Sequence, residues 1–420
     1  MPDNQQHLPE SSAQKASRKA SSVHDVTAEK PPFGARFLTD EKDVWSQNAW
    51  DHVPPPEGQE EIIAASLARQ KAAPVPEEDK LKYNEKPAKH WDNFYKMNAD
   101  NFFRNRKWLH LEFPELVKAA EPEAGPMTVA EIGCGAGNAV FPLLTANKNP
   151  ALKLHAYDYS SHAVKLVQTN PLYSSPPIGT IQAGVWDVTS SSLPPDVQPG
   201  SVDIILLIFV LSALHPHEWR NAISNIHQML KPGGLVLLRD YGRHDMAQLR
   251  FKGGRLLDDN FYVRGDKTRV YFFELDELAL LFSGAPAPQA SKTETKTEVV
   301  EEYDDAPDSE GASPNHTPAP SRASPSPAPQ AADNVATASS PTSLNAFVSR
   351  PHSPTFPFAR IHPVLQQPSG DASLGAGGDV RHPLFSVERL GIDRRLIVNR
   401  KRQIKMYRVW MQGMFRKLIR

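Results

Sequence analysis

The sequence predicts an α/β protein built on a doubly wound parallel sheet. Three observations predict it: an apolar run ending in alternate glycines, Thr128 to Gly137 (TVAEIGCGAG); the strand and helix alternation that follows; and acids at successive strand ends, Asp158, Asp187 and Asp240. Ligands of such sheets bind outside the carboxyl ends of the strands, where Gly133 and these acids fall.

Taken in order, residues 1–32 hold almost no large apolar side chains, a composition that cannot repay the entropy of ordering, and are expected to be disordered. Residues 33–53 carry Trp45 and Trp50 among charges, expected to pack on the main domain or to stack on a flat ligand. A charged helical connector is expected from Glu60 to Arg69. Residues 81–110 hold seven basic and seven aromatic residues against three acids. Trp91, Phe94, Tyr95 and Phe102 recur at helical spacing, which suits an amphipathic helix sealing the domain. The same interleaving suits single-stranded nucleic acid, since bases stack on rings while phosphates meet Lys96, Arg104, Arg106 and Lys107.

The core reads as strand 128–132, helix 138–146, strand 152–158, helix 161–168 capped by Ser160 or Ser161, and strand 180–185. It continues with strand 202–210, helix 218–230 stopped by Lys231-Pro232-Gly233-Gly234, and strand 235–238. A basic turn, a strand-like VYFF and a short helix occupy 251–282. Residues 284–380 hold 15 of the 39 prolines with many Ser and Ala, which reads as a disordered insert. Two strands are expected in 384–420, a stretch with eleven basic residues and two acids that points to a polyanion, with Arg394, Arg395 and Arg400 as contacts. If they complete the same sheet, the long loop adds only about 2–3 kcal/mol of closure entropy.

Composition bounds the function. The 420 residues, 40% apolar, allow one enzyme-sized core, and the net charge of −1 places any polyanion-binding surface in local concentrations. The single Cys134 gives neither a disulfide framework nor a cysteine zinc site, and no metal-ligand cluster is visible. No long apolar run signals a membrane span or a secretory leader, and Asp3, Glu10 and Asp25 interrupt any transit peptide. Cytoplasm is the default expectation, with the nucleus left open.

The GxGxG spacing suits a cofactor without pyrophosphate better than a dinucleotide, so S-adenosylmethionine (SAM) is the first expectation and NAD the second. Gly133 and Gly135 would cradle it and Asp158 would accept both ribose hydroxyls. Asp187 would accept from the adenine amine between Val188 and Ile208. After the fourth strand, LIFVLSALHP lacks the Asn/Asp-Pro-Pro-aromatic run that serves exocyclic amines, which leans toward a ring nitrogen as methyl acceptor.

The segments KHWDNFYKMNADNFFRNRKWLHLEFPEL, VAEIGCGAGNAVFPLL, VDIILLIFVLSALHP, MLKPGGLVLLRDYGRHDMAQLRFK, NFYVRGDKTRVYFF and IDRRLIVNRKRQIKMYRVW resemble the eukaryotic tRNA 3-methylcytidine methyltransferases. FGARFLTD and NAWDHV resemble the branch acting on threonine-type tRNA. The resemblance covers about 33–282 and 384–420 and implies a class I SAM-dependent, Rossmann-like methyltransferase. Its implied product is 3-methylcytidine at position 32 of the anticodon loop, with SAM contacts at Trp91, Tyr95, Gly133, Asp158, Asp187, Val188 and Ile208. On that reading 33–127 binds tRNA and caps SAM, 128–282 is the core, 283–383 is an insert and 384–420 completes the core. The chain departs from the family in that insert and in SGAPAP, which replaces a Gly-Phe after the leucine-rich helix. N3 of cytosine is a Watson–Crick acceptor and reacts only when unpaired or flipped out. Asp240 or Asp266 would orient the cytosine amine or offset its new charge, or pair structurally with Arg243, Arg264 or Arg269. Arg264, in the basic turn, is a further expected RNA contact. A helper protein for tRNA selection is left open. Two other readings compete: a protein or small-molecule methyltransferase, and a non-catalytic RNA-binding adaptor.

Overall fold

The structure, a computed structural model, describes residues 36–106, 108–287, 361–366 and 382–419. The disorder expected for 1–32 and most of the insert falls outside these residues. The strands are β1 (Ala49–Asp51), β2 (Met127–Ile132), β3 (Leu152–Asp158), β4 (Thr180–Val185), β5 (Val202–Ile208) and β6 (Leu230–Tyr241). They continue with β7 (Leu256–Asp258), β8 (Phe261–Val263), β9 (Arg269–Tyr271), β10 (Phe385–Asn399) and β11 (Ile404–Lys417).

Eight strands form one sheet in the order β1-β10-β11-β6-β5-β2-β3-β4. From β6 to β4 every pairing is parallel, as the sequence predicts. The sheet is mixed rather than wholly parallel, because β11 runs antiparallel to β6, β10 to β11 and β1 to β10. Successive residues of β5 face opposite sides. Ile204, Leu206 and Ile208 pack with the helix Val140–Ala146, and Ile205 and Leu207 with the helix Trp219–Met229. The chain leaves β2 toward β3 and β4, then returns to β5 on the other flank, so the reversal point lies at the end of β2.

Three expectations change. Lys231 to Gly234 do not separate helix from strand but sit inside β6, where the register jumps from Val202–Leu230 to Ile204–Leu235. Four residues bulge against one, with Gly233 at φ 78° supplying the turn. Strand β5 stops at Ile208, because Phe209 turns to φ 60°. Within the insert, Ile361–Gln366 is packed: His362 and Val364 are buried, Pro363 opens a short helix, and the His362 N–H donates to Glu277 Oε1 at 2.9 Å.

The two early tryptophans pack. Trp50 is buried with Val44, Leu396 and Val398, and its Nε1 donates to the Val44 carbonyl at 2.8 Å. Among the described residues no helix is long and apolar enough to cross a membrane, and no group of three His, Cys, Asp or Glu side chains could hold a metal.

Candidate cofactor and base site

The glycine turn sits at the reversal point. Gly133 has φ 67°, and a Cβ there would lie 2.7 Å from Val210 Cγ2. Gly135 has φ 54°, and a Cβ there would overlap the Tyr95 hydroxyl. Both positions therefore require glycine, and Val210 and Tyr95 close directly over the turn. Asp158, buried at the end of β3, accepts from Gly135 N–H at 2.9 Å through Oδ2 and from Ser160 N–H at 2.8 Å through Oδ1. Burial raises its carboxyl to about 6 against the pull of those two donors. One acceptor site remains on each oxygen for a pair of hydroxyls.

Tyr95 reaches Gly135 from the helix Pro87–Asn98, whose Trp91 ring lies 6.0 Å from that of Tyr95 one turn earlier. Phe94 and Phe102 stack edge-on at 4.7 Å, so the aromatic face is a core-sealing face. Asp92, overlooked in the sequence, fixes this helix in place by accepting from Ser160 Oγ at 2.7 Å and His162 N–H at 3.1 Å. Asp187 is exposed beyond β4, and its Oδ1 accepts from the Thr189 N–H and hydroxyl, both at 2.8 Å. Val188 and Ile208 are buried. The Tyr159 hydroxyl, next to Asp158, is buried without a partner. An orphaned hydroxyl, a cradle closed to any Cβ and a strand-end carboxylate with spare acceptor sites fit an adenosyl cofactor.

A second feature adjoins the turn on the β5 side. Phe209 and Tyr241 have ring centroids 4.7 Å apart, with Trp410 6.2 Å from Phe209. The Arg106 guanidinium lies 5.5 Å from the Phe209 ring and that of Arg264 5.6 Å from the Tyr241 ring. The apolar run 202–210 reads Phe209 as strand, and its positive φ is a strain that sequence reading overlooks.

The two acids expected near the cytosine have different settings. Asp240 is wholly buried, accepts from Ser212 N–H at 3.0 Å and Tyr241 N–H at 2.9 Å, and is raised to about 6 by burial. Asp266 is exposed in the β8–β9 turn, where it accepts from the Thr268 N–H at 2.8 Å and hydroxyl at 2.6 Å. Arg243 pairs with Glu274 and Arg269 with Glu218, which leaves Arg264 as the one of the three whose charge acts on Asp240.

Of the expected RNA contacts, Lys96, Arg104 and Arg400 are exposed, Arg106, Arg264 and Arg394 are half-buried, and Lys107 lies outside the described residues. Arg395 corrects the expectation. It is buried and pairs with Asp393 at 3.1 Å, Asp51 at 3.2 Å and Glu112. Strand alternation puts 393 and 395 on the covered face of β10, whereas a count of charges is blind to faces. Arg408 is likewise buried against Asp245 at 3.0 Å, so the basic count of 384–420 exceeds its exposed charge.

A family model described as "Methyltransferase domain" matches residues 130–236, which run from β2 into β6. The chain is 49% identical over 257 residues to the tRNA(Thr) (cytosine(32)-N(3))-methyltransferase of Saccharomyces cerevisiae, covering 60% of this chain and 40% of that protein. It is 46% identical to the tRNA N(3)-methylcytidine methyltransferase trm140 of Schizosaccharomyces pombe, covering 63% of this chain and 85% of that one. It is 42% identical to the tRNA N(3)-cytidine methyltransferase METTL2 of Danio rerio, covering 61% and 80%. With the glycine cradle, the strand-end carboxylate and these identities in hand, the chain belongs to the tRNA N(3)-methylcytidine methyltransferase family.

Proposed function

We propose that this protein transfers the methyl group of SAM to N3 of cytidine 32 in the anticodon loop of threonine-type tRNA. One observation carries the reading: a half-open aromatic pair, Phe209 and Tyr241, flanked by Arg106 and Arg264, directly beside a glycine cradle. An unpaired base stacks on such a pair while its phosphate meets Arg264.

When bound, SAM supplies an electrophilic methyl, and transfer to a ring lone pair asks of the protein mainly alignment. Gly133, Gly135 and Asp158 would hold the adenosyl part, with Tyr95 and Trp91 as its cover and Asp187, Val188 and Ile208 at the adenine. Asp240 acts as a positioning residue: it accepts from the Ser212 N–H and so holds the turn that follows Phe209. Asp266 holds the β8–β9 turn that presents Arg264.

Mass spectrometry of nucleosides from tRNA treated with the full chain and SAM tests the reading. The expected result is 3-methylcytidine mapping to position 32. Methylated protein without 3-methylcytidine, or tRNA binding without any product, would overturn it in favour of the two competing readings.

A further inference from the structure

The amino-acid end of the cofactor site can be located from the sheet order. Asp158 at the end of β3 fixes the adenosyl half on that flank of the glycine turn. Since β5 lies on the opposite flank of β2, the other half of a cofactor held there would extend across β2 toward Phe209. Arg106 waits there. Its backbone N–H donates to the carbonyl of Asn138, the residue after the turn, at 2.8 Å. The Asn138 side chain holds the preceding segment by donating to the Phe103 carbonyl at 3.1 Å. The guanidinium thus stands between the turn and Phe209, and its Nε is buried without a hydrogen-bond partner.

The acid that attracts this guanidinium most is Glu131, in the strand leading into the turn. Glu131 is buried, one oxygen accepts from Val140 N–H at 3.1 Å, and burial raises its carboxyl to about 8. Burial thus holds it toward the neutral form, which weakens it as a counter-charge. A desolvated guanidinium short of an acceptor is costly until an anion reaches it. SAM carries one anionic group, the α-carboxylate of its methionine part.

We infer that Arg106 receives the cofactor's α-carboxylate, and that its role is to fix the methionine end of SAM rather than to grip RNA. This inference rests on the SAM reading above. A tRNA phosphate is the rival anion, but phosphates approach from outside, where Lys96 and Arg104 are exposed, while the Arg106 Nε is buried. With Arg106 holding the carboxylate and Asp158 the ribose, the chain would fix the cofactor from both sides, beside Phe209.

Calorimetry on the full chain with SAM and with decarboxylated SAM tests this. Wild type should bind SAM roughly 10- to 100-fold more tightly than the decarboxylated form, the range of a charge-assisted hydrogen bond. In Arg106→Met the two affinities should converge, because only SAM weakens; unchanged binding of decarboxylated SAM shows that the site is folded. Arg106→Lys should keep part of the preference. The salt dependence of tRNA binding without cofactor should stay as in wild type. SAM binding with its preference intact in Arg106→Met overturns this inference alone, as does a loss confined to tRNA binding. Failure of wild type to bind SAM would overturn the cofactor reading and this inference with it.

Discussion

Glu112 and Arg395 lie 283 residues apart in the chain and form a buried ion pair. Around them gather Asp51, Asp393, Arg239 and Gln412, with the Arg239 guanidinium 4.3 Å from the Trp108 ring and 4.8 Å from that of Trp410. This cluster fastens the N-terminal region and β10 to the carboxyl end of β6, next to Asp240 and Tyr241. Glu112→Ala should therefore destabilise the fold by about 3–5 kcal/mol, because two buried guanidinium groups lose a counter-charge. Urea unfolding of the variant checks it, and a loss under about 1 kcal/mol would mean that the cluster rearranges without strain.

A pH dependence follows from Glu131. Its carboxyl titrates near 8 in the fold against 4.5 as the ordinary value, so between these the folded chain holds more protons than the unfolded one. Stability from this group is thus fully present below about pH 4.5 and is lost as pH rises toward 8. Glu131→Gln keeps the acceptor for Val140 N–H and removes the proton. The stability of wild type minus that of the variant should fall steadily across that window and be level outside it. Denaturation at a series of pH values reads this difference, in which the buried acids common to both chains cancel except Asp158, whose charge couples to Glu131.

How much of this was legible in the sequence depends on how far each cause reaches along the chain. The helix Ser161–Gln168 was readable to the residue and its cap to within one, Ser160 or Ser161, since a cap hydroxyl oxygen and the N–H that donates to it lie three residues apart. The glycine turn and Asp158 were readable because a backbone that must take positive φ allows few residue types. Arg395 was not, because its burial is decided by Glu112 and Asp51, which no local window contains. Strands β7 and β8 were missed for a related reason: at three residues each, they are too short for alternation to show, and neighbours stabilise them.

The insert was the other blind spot. A proline-rich average from 284 to 380 hides IHPVLQ, whose His362 ring lies 5.8 Å from Trp219 and 6.0 Å from Tyr271. Arg220 also donates to the Val364 carbonyl at 3.0 Å. Deleting 290–375 should consequently lower stability by about 2–4 kcal/mol, the scale of losing one buried apolar side chain and two buried hydrogen bonds. A deletion of 290–356, which keeps this segment, should leave the melting temperature within a few degrees of wild type. Equal melting temperatures for both deletions would show that the docked segment is dispensable.

The last prediction separates structural from exposed cations in the C-terminal hairpin. Arg400 and Arg402 are exposed in the turn that joins β10 to β11, whereas Arg395 is buried among acids on the strand below. If the hairpin tip meets tRNA phosphates, Arg400→Ala with Arg402→Ala should lower the slope of log affinity against log salt by roughly 1.5, the counterion release of two phosphate contacts, with the fold unharmed. Arg395→Ala should do the reverse, weakening the fold while the slope of the folded fraction holds. Filter binding across a salt series, set beside thermal melts of both variants, distinguishes them. An unchanged slope in the tip variant would remove the hairpin as an RNA contact and leave the tRNA backbone to Lys96, Arg104 and Arg264.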